Sequence, residues 1–421
     1  MKAEIIAVGS ELLTPDRVDT NSLYLTAQLN RLGIEVSRKT VVGDELGDLR
    51  DAFDQSMQRA EIVISSGGLG PTEDDRTRQA VADLLGRKLA RDPAVMSRIE
   101  ERFRQIRRTM SEVNTRQAMV PEGATVLENK RGTAPGLWLE ARGRIVILLP
   151  GPPHELKAMF GAQVEPRLAR LSTGVRLVSR QLRVAGMGES EVDQRIAPIY
   201  MRHNDVQTTI LTAPGEIQVH LRAWSSDVPA AENLLLQIQE SIVLALGEAV
   251  FTTDGEPMEE VVARELTLHQ ATIATAESCT GGLLAERLTR ISGSSAYFLG
   301  GVISYSNLLK SAWVDVPAEI IESRGAVSAE VAVALAEGIR RRTGATLGVG
   351  ITGIAGPTGG TAEKPVGTVH IALADESGSK QRGLHFPGER DRIRWQASQT
   401  ALDLVRRYFL YAAQPKNGVK G

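Results

Sequence analysis

The chain of 421 residues contains one cysteine, Cys279, and only 4% aromatic residues. A single cysteine excludes an intrachain disulfide framework and any metal site made of several thiolates. No sign of charge dominates either, since 49 Lys and Arg against 51 Asp and Glu leave a net −2 with His neutral. Without a global positive excess, a nucleic acid or an anionic lipid surface would have to find a local basic patch. No stretch reaches the roughly 18 apolar residues of a membrane span. The opening MKAEIIAVGSELL lacks the long apolar core of a secretory signal. A cytoplasmic protein with no membrane partner is therefore expected.

At about 150 residues per domain, the length predicts two or three domains, each able to bury a full core. Apolar runs at 3–8, 34–42, 61–66 and 145–149 alternate with helical patterns at 20–33, 45–59, 73–85, 93–108 and 154–171. Such alternation predicts a parallel sheet with crossover helices. Residues 175–250 read differently: an edge-type strand, a helix over 189–201, a hairpin around Ala213-Pro214-Gly215 and a helix over 229–246. After the turn-rich stretch 252–257 the alternation resumes, with strands at 271–276, 298–305, 346–352, 367–374 and 381–386 and a final helix at 389–410. The fold class predicted is α/β: two three-layer α/β domains with largely parallel sheets, joined by a small α+β module. The expected domains are 1–172, 173–252 and 256–413.

In the first domain, Ser66-Gly67-Gly68-Leu69-Gly70-Pro71-Thr72-Glu73-Asp74-Asp75 follows a strand pattern and opens a helical one. Glycines let backbone amides approach a phosphate, and a helix start adds its positive dipole end. Asp74 and Asp75, placed in the first turn, either complement that dipole or hold a divalent cation on a diphosphate. The simpler alternative is a helix start with Asp74 and Arg78 paired at i,i+4. The loop is neither G-x-G-x-x-G nor a Walker sequence, which argues against a dinucleotide-dependent dehydrogenase or an ATPase. A second polar turn, Gly9-Ser10-Glu11, would lie at the same sheet edge, where ligands bind, with Asp19, Thr20 and Asn21 next; the alternative is that Asp19 or Thr20 simply caps the following helix.

In the last domain a strand delivers Glu277-Ser278-Cys279-Thr280-Gly281-Gly282 into a helix. A nucleophile at such a turn is exposed, and amides at the helix start can receive an oxyanion. Ser278 and Cys279 compete for that role, and a lone cysteine is more often a buried small hydrophobe. His269 and His370 carry no motif, so a Ser-His-Asp triad is not supported. A lysine can replace the histidine when burial lowers its pKa. Lys310, one turn beyond Ser304-Tyr305-Ser306-Asn307, is a candidate, with Tyr305 as a relay; the alternative is a solvated lysine. A second glycine-rich loop, 350–360, suits close approach to an anion. Arg390 opens the final helix and either clamps a phosphate or pairs with Glu389 or Asp391.

Taken together, GSELL, DTNS, SGGLGPTEDD, GTAPG at 132–136 and LPGPPHEL at 149–156 resemble the amino-terminal domain of the CinA family. That domain is similar to the molybdopterin-binding fold of MogA and MoaB proteins and is associated with metal-dependent ADP-ribose pyrophosphatase activity. The resemblance implies that Gly67, Gly68, Gly70 and Thr72 hold phosphate and that Asp75, with Asp74, serves a divalent metal (Mg, Mn or Co). AESCTGG, GGVISYSNLLK, GAVS, TGIAGPTGG, EKPVGTV and FPGERD resemble, in order, the family's carboxy-terminal domain, which is similar to PncC-type nicotinamide mononucleotide deamidases. These are serine/lysine amidohydrolases without a cofactor. The resemblance makes Ser278 the nucleophile, Lys310 its base and Tyr305 an assisting hydroxyl. It places the oxyanion near Thr280, Gly281 and Gly282, and the nucleotide near Thr352, Gly353, Gly356 and Arg390. The middle module resembles the KH-type domain of long CinA proteins. It lacks the G-x-x-G clamp and a basic run, so a nucleic-acid partner is not expected. A homodimer acting on nicotinamide mononucleotide and ADP-ribose is the expectation. The rival readings are a non-catalytic nucleotide-binding scaffold and a pterin-binding protein of the MogA type.

Overall fold

The computed structural model describes residues 1–171 and 174–412. The expected domain boundary at 172/173 and the end at 413 lie outside the described residues. The chain packs into two compact units. The first comprises Met1–Val178 with Ala223–Glu232, and the second Ser179–Arg222 with the chain from Asn233 onward.

In the first unit, strands Glu35–Val42, Lys2–Val8, Ile62–Ser66, Arg144–Leu149, Gly136–Ala141 and Thr125–Leu127 form one sheet in that order. The first four run parallel, and the last two add antiparallel edges. The strand Ile62–Ser66 is buried at every position, as a strand covered on both faces requires. One face packs on helices Leu46–Arg59, Thr77–Leu85 and Pro93–Gln105, through Phe53, Val81 and Ile99. The other packs on Thr20–Arg31 and the helical stretch after Pro153, through Leu25, Leu29 and Phe160. The antiparallel strands at 125–127 and 136–141 were not expected from the sequence.

The middle sheet orders Gln207–Ala213, Glu216–Ser225, Arg176–Val184 and Val250–Thr252. Arg176–Val184 is thus an inner strand, a correction to the edge position expected for it, because the short strand Val250–Thr252 pairs along its far side.

The last domain sets Phe298–Ile303, Ile273–Glu277, Leu347–Gly353, Thr368–Asp375 and Gly378–His385 in one sheet. Its first three strands are parallel and its last two antiparallel. Helices Met258–Leu268, Leu283–Thr289 and Arg390–Ala412 cover one face; Asn307–Val314, Ala318–Arg324 and Ala329–Thr343 cover the other. The three parallel strands deliver residues 278, 304 and 354 to the same carboxyl edge, where open α/β sheets place their ligands. No described helix is long and apolar enough to cross a membrane.

Candidate active site

Ser278 directly follows the strand Ile273–Glu277, and its amide donates to Ile351 O of the neighbouring strand at 3.0 Å. The chain then reverses through Gly281 (φ +61°) and Gly282 (φ +90°), left-handed positions that glycine alone adopts without strain. Glu277 completes the turn: its buried carboxylate accepts from the amides of Gly282 (3.0 Å), Leu284 (3.1 Å) and Ala285 (2.8 Å). It therefore caps the helix Leu283–Thr289 from the residue next to Ser278.

Lys310 lies in the first turn of the helix Asn307–Val314, whose cap Ser306 accepts from Leu309 N. Helical side chains lean toward the N-terminus, so Lys310 reaches back over the residues that precede its own helix. Its Nζ donates to Ser304 O at 2.9 Å and Tyr305 O at 3.1 Å, and lies 3.2 Å from Ser278 Oγ. Lys310 is 1% exposed and Ser278 8%. No carboxylate pairs with Lys310 among the described residues. Burial without a counter-ion disfavours the ammonium and lowers the Lys310 pKa from its ordinary value. Two buried hydroxyls in the adjoining loops, Thr280 Oγ1 and Ser304 Oγ, have no partner among the described residues.

Cys279 packs into the core, and burial pushes its thiol up to about 12, which keeps it protonated and unreactive near neutrality. A Cβ on Gly353 would come within 3.0 Å of Cys279 Sγ, so that glycine is required by the packing of the neighbouring strand end. Arg394, which the sequence reading missed, grips the turn by donating from Nε (3.2 Å) and Nη2 (2.9 Å) to Thr280 O. Arg390 donates to Gly356 O (2.8 Å) and Tyr305 Oη (3.2 Å) and so ties the second glycine loop to Tyr305.

Several expected roles need correction. The amides of Gly281 and Gly282 are already engaged, by Ser278 O and Glu277, so they are not free to receive an oxyanion. The part of Tyr305 that meets Lys310 is its carbonyl; its side chain is 58% exposed and its hydroxyl bonds Arg390. The Thr352 hydroxyl donates to Ala326 O at 2.7 Å, inside the fold.

The first domain holds its own polar site at the carboxyl edge. A cavity of about 340 Å³ is lined by Gly67, Gly68, Gly70, Asp74, Asp75 and residues of the 9–11 and 132–136 turns, among others. Helix Thr77–Leu85 begins later than expected, so Asp74 and Asp75 precede it. Asp75 accepts from Gly70 N (2.7 Å), Thr72 N (2.9 Å) and Thr72 Oγ1, which staples the loop and engages both carboxylate oxygens. Arg78 is buried and donates to Leu69 O (2.6 Å) and Gly70 O (2.8 Å), in place of the i,i+4 pair with Asp74. Gly67 N is bound to Leu149 O, leaving the amides of Gly68 and Leu69 without an acceptor among the described residues. Thus Gly70 and Thr72 do not present free donors to a phosphate. Among the described residues no group of three His, Cys, Asp or Glu side chains gathers to hold a metal. Asp74 and Asp75 line the cavity together with Glu11, Asp44 and Glu155, and Asp75 spends three of its acceptor positions on the loop. Asp19 caps its helix by accepting from Ser22 N at 3.0 Å, and buried Asn21 ties Ser66 Oγ to Gly151 O.

Residues 4–170 match the family model "Probable molybdopterin binding domain", 179–252 "Damage-inducible protein CinA KH domain" and 255–409 "CinA C-terminal domain". A CinA-like protein of Koribacter versatilis is 51% identical over 411 residues, covering 97% of this chain and 99% of that protein. A CinA-like protein of Solibacter usitatus is 51% identical over 407 residues, covering 97% and 98%. Among solved structures, the protein CinA of unknown function from Thermoplasma acidophilum is 35% identical, covering 40% of this chain and 97% of that one, with a TM-score of 0.38.

Proposed function

The chain belongs to the CinA family, and on that footing we propose that its carboxy-terminal domain hydrolyses a carboxamide by serine–lysine chemistry, with nicotinamide mononucleotide as substrate. One observation carries this reading: a buried amine with no carboxylate partner among the described residues, 3.2 Å from a serine hydroxyl. A neutral lysine has two N–H donors and one lone pair. Two carbonyls, Ser304 O and Tyr305 O, take the two donors, which leaves the lone pair for the Ser278 hydroxyl.

The reaction then runs in two halves. Ser278 Oγ attacks the carboxamide carbon while its proton passes to Lys310 Nζ. As the carbon–nitrogen bond breaks, Lys310 returns that proton to the leaving nitrogen, releasing ammonia and an acyl-Ser278 ester. Water attacks the ester and gives its proton to Lys310, which passes it to Oγ as the ester bond breaks. The product is nicotinate mononucleotide. The Thr280 hydroxyl and the amides of Cys279 and Thr280 are the groups left to stabilise the oxyanion, since the Ser278 amide is bound to Ile351 O. Ammonia release from nicotinamide mononucleotide tests the reading; a Ser278→Ala protein with full activity overturns it. Ligand binding without ammonia release favours the non-catalytic scaffold instead.

For the first domain we propose ADP-ribose as ligand and AMP plus ribose 5-phosphate as products. The free amides of Gly68 and Leu69 over an open cavity support an anionic ligand there. The measurement is AMP release by metal-stripped protein with and without added Mg, Mn or Co. Specific binding of molybdopterin in place of ADP-ribose would favour the pterin reading.

A further inference from the structure

We propose that the hairpin tip of the middle module, through Glu216, is a positioning element for the Ser278–Lys310 site; the inference rests on the amidase reading above. The last helix, Arg390–Ala412, is the body between them. Its Arg390 and Arg394 hold Gly356 O, Tyr305 Oη and Thr280 O. One turn further, Ser398 Oγ and Gln399 Oε1 accept from the guanidinium of Arg287, at 2.9 and 2.5 Å. Arg287 lies on the helix Leu283–Thr289, which Glu277 caps from beside the nucleophile. It is 1% exposed, pairs with Glu259 at 2.7 Å and stacks on Trp395 with its guanidinium carbon 4.4 Å from the ring centre.

Gln399 is the joint. Its carbonyl oxygen faces Arg287, so its amide nitrogen faces the other way and donates to Glu216 Oε2 at 3.2 Å. Glu216 is itself held by Arg183 (3.0 Å) and Gln218 (2.7 Å) on its other oxygen. The carboxylate fixes which end of the Gln399 amide meets the guanidinium. Without it the amide is free to flip and turn its N–H groups toward a buried cation. The turn residue Gly215 (φ +80°) packs closely on the same side chain, since a Cβ there would stand 2.9 Å from Gln399 Cγ. Every link from Glu216 to the helix behind Ser278 is therefore a direct contact.

The network touches no reacting atom, so its effect is on placement. Loss of such a support is expected to change turnover by about 3- to 20-fold. The test compares wild type, Glu216→Ala, Glu216→Gln and Gly215→Ala in the full chain. The readouts are kcat and KM for ammonia release, thermal midpoint, and the rate at which a serine-directed fluorophosphonate labels Ser278. Glu216→Ala and Gly215→Ala should lower kcat and labelling together while KM stays within about twofold, and Glu216→Gln, which keeps an acceptor for Gln399, should recover most of the loss. Wild-type kcat and labelling in both Glu216→Ala and Gly215→Ala, or a fall in thermal midpoint alone, overturns the proposal. A wild-type protein that neither releases ammonia nor labels at Ser278 overturns the amidase reading and this inference with it.

Discussion

The two glycine turns of this protein solve one backbone problem and differ in a single chemical property. Each leaves the carboxyl end of a parallel strand and enters a helix. Each uses a carboxylate of its own segment to satisfy loop amides, Asp75 in the first domain and Glu277 in the last. Beside each, a buried basic side chain sits on backbone carbonyls: Arg78 on Leu69 O and Gly70 O of the first turn itself, Lys310 on Ser304 O and Tyr305 O of the loop next to the second. An arginine in that position remains charged and holds the loop. Burial brings Arg78 down only to about 10, still protonated at neutral pH. A lysine there can give up its proton, and Lys310 has a serine hydroxyl within reach when it does. A carbonyl cradle thus lies at both sites, and the titratability of the residue in it separates a brace from a base.

The largest effects should come from removing that titratability. Lys310→Arg and Lys310→Met should each lower ammonia release at least about 1000-fold, as should Ser278→Ala. An active Lys310→Arg protein would erase the distinction between the two loops. Lys310→Met should also raise the thermal midpoint at neutral pH, because it removes an amine buried without a counter-ion.

In the first domain Asp75→Ala should lower AMP release from ADP-ribose by about tenfold or more by unstapling the loop, with ammonia release within about twofold. Equal loss of both activities would contradict two independent turns.

The pH dependence probes the same contrast. Because the folded Lys310 titrates below its ordinary 10.5, kcat/KM for ammonia release should rise with pH through the lowered value and then level off. Between that value and the unfolded one the unfolded chain binds the extra proton, so stability rises with pH across the window. The advantage of Lys310→Met over wild type, measured by urea unfolding, should shrink over the same range.

The smallest change is expected at Cys279. Its thiol, pushed up to about 12, is not the attacking group, so Cys279→Ala should alter ammonia release by less than about twofold. The packing loss should cost on the order of 1 kcal/mol, read as a lower urea midpoint. A large loss of activity would restore cysteine as a rival nucleophile.

Strand and helix order in both large domains was legible because apolar runs and amphipathic periods are local signals. So was the gathering of glycine turns at sheet edges, which follows from a strand-to-helix connection. The short antiparallel strands at 125–127 and 136–141 escaped, since their runs are brief and their pairing depends on the neighbouring strand. Arg394 and Gln399 escaped for a different reason. Their partners lie 114 and 112 positions away along the chain, and on a helix face they read as ordinary polar residues. Asp75 was legible as a loop carboxylate, yet its turn toward the loop's own amides was not.

Residue type and short spacing settle which groups are available: one serine at a strand end, one lysine a turn into a helix, glycines where positive φ is required, and no thiolate cluster or histidine triad. All of this can be read along the chain without knowing how it folds. Long-range packing supplies the rest: Lys310 is buried without a counter-ion, its two N–H donors meet carbonyls, and Ser278 lies 3.2 Å away. A proton affinity depends on how much water and how many charges surround the group, and that environment exists only once distant segments have come together.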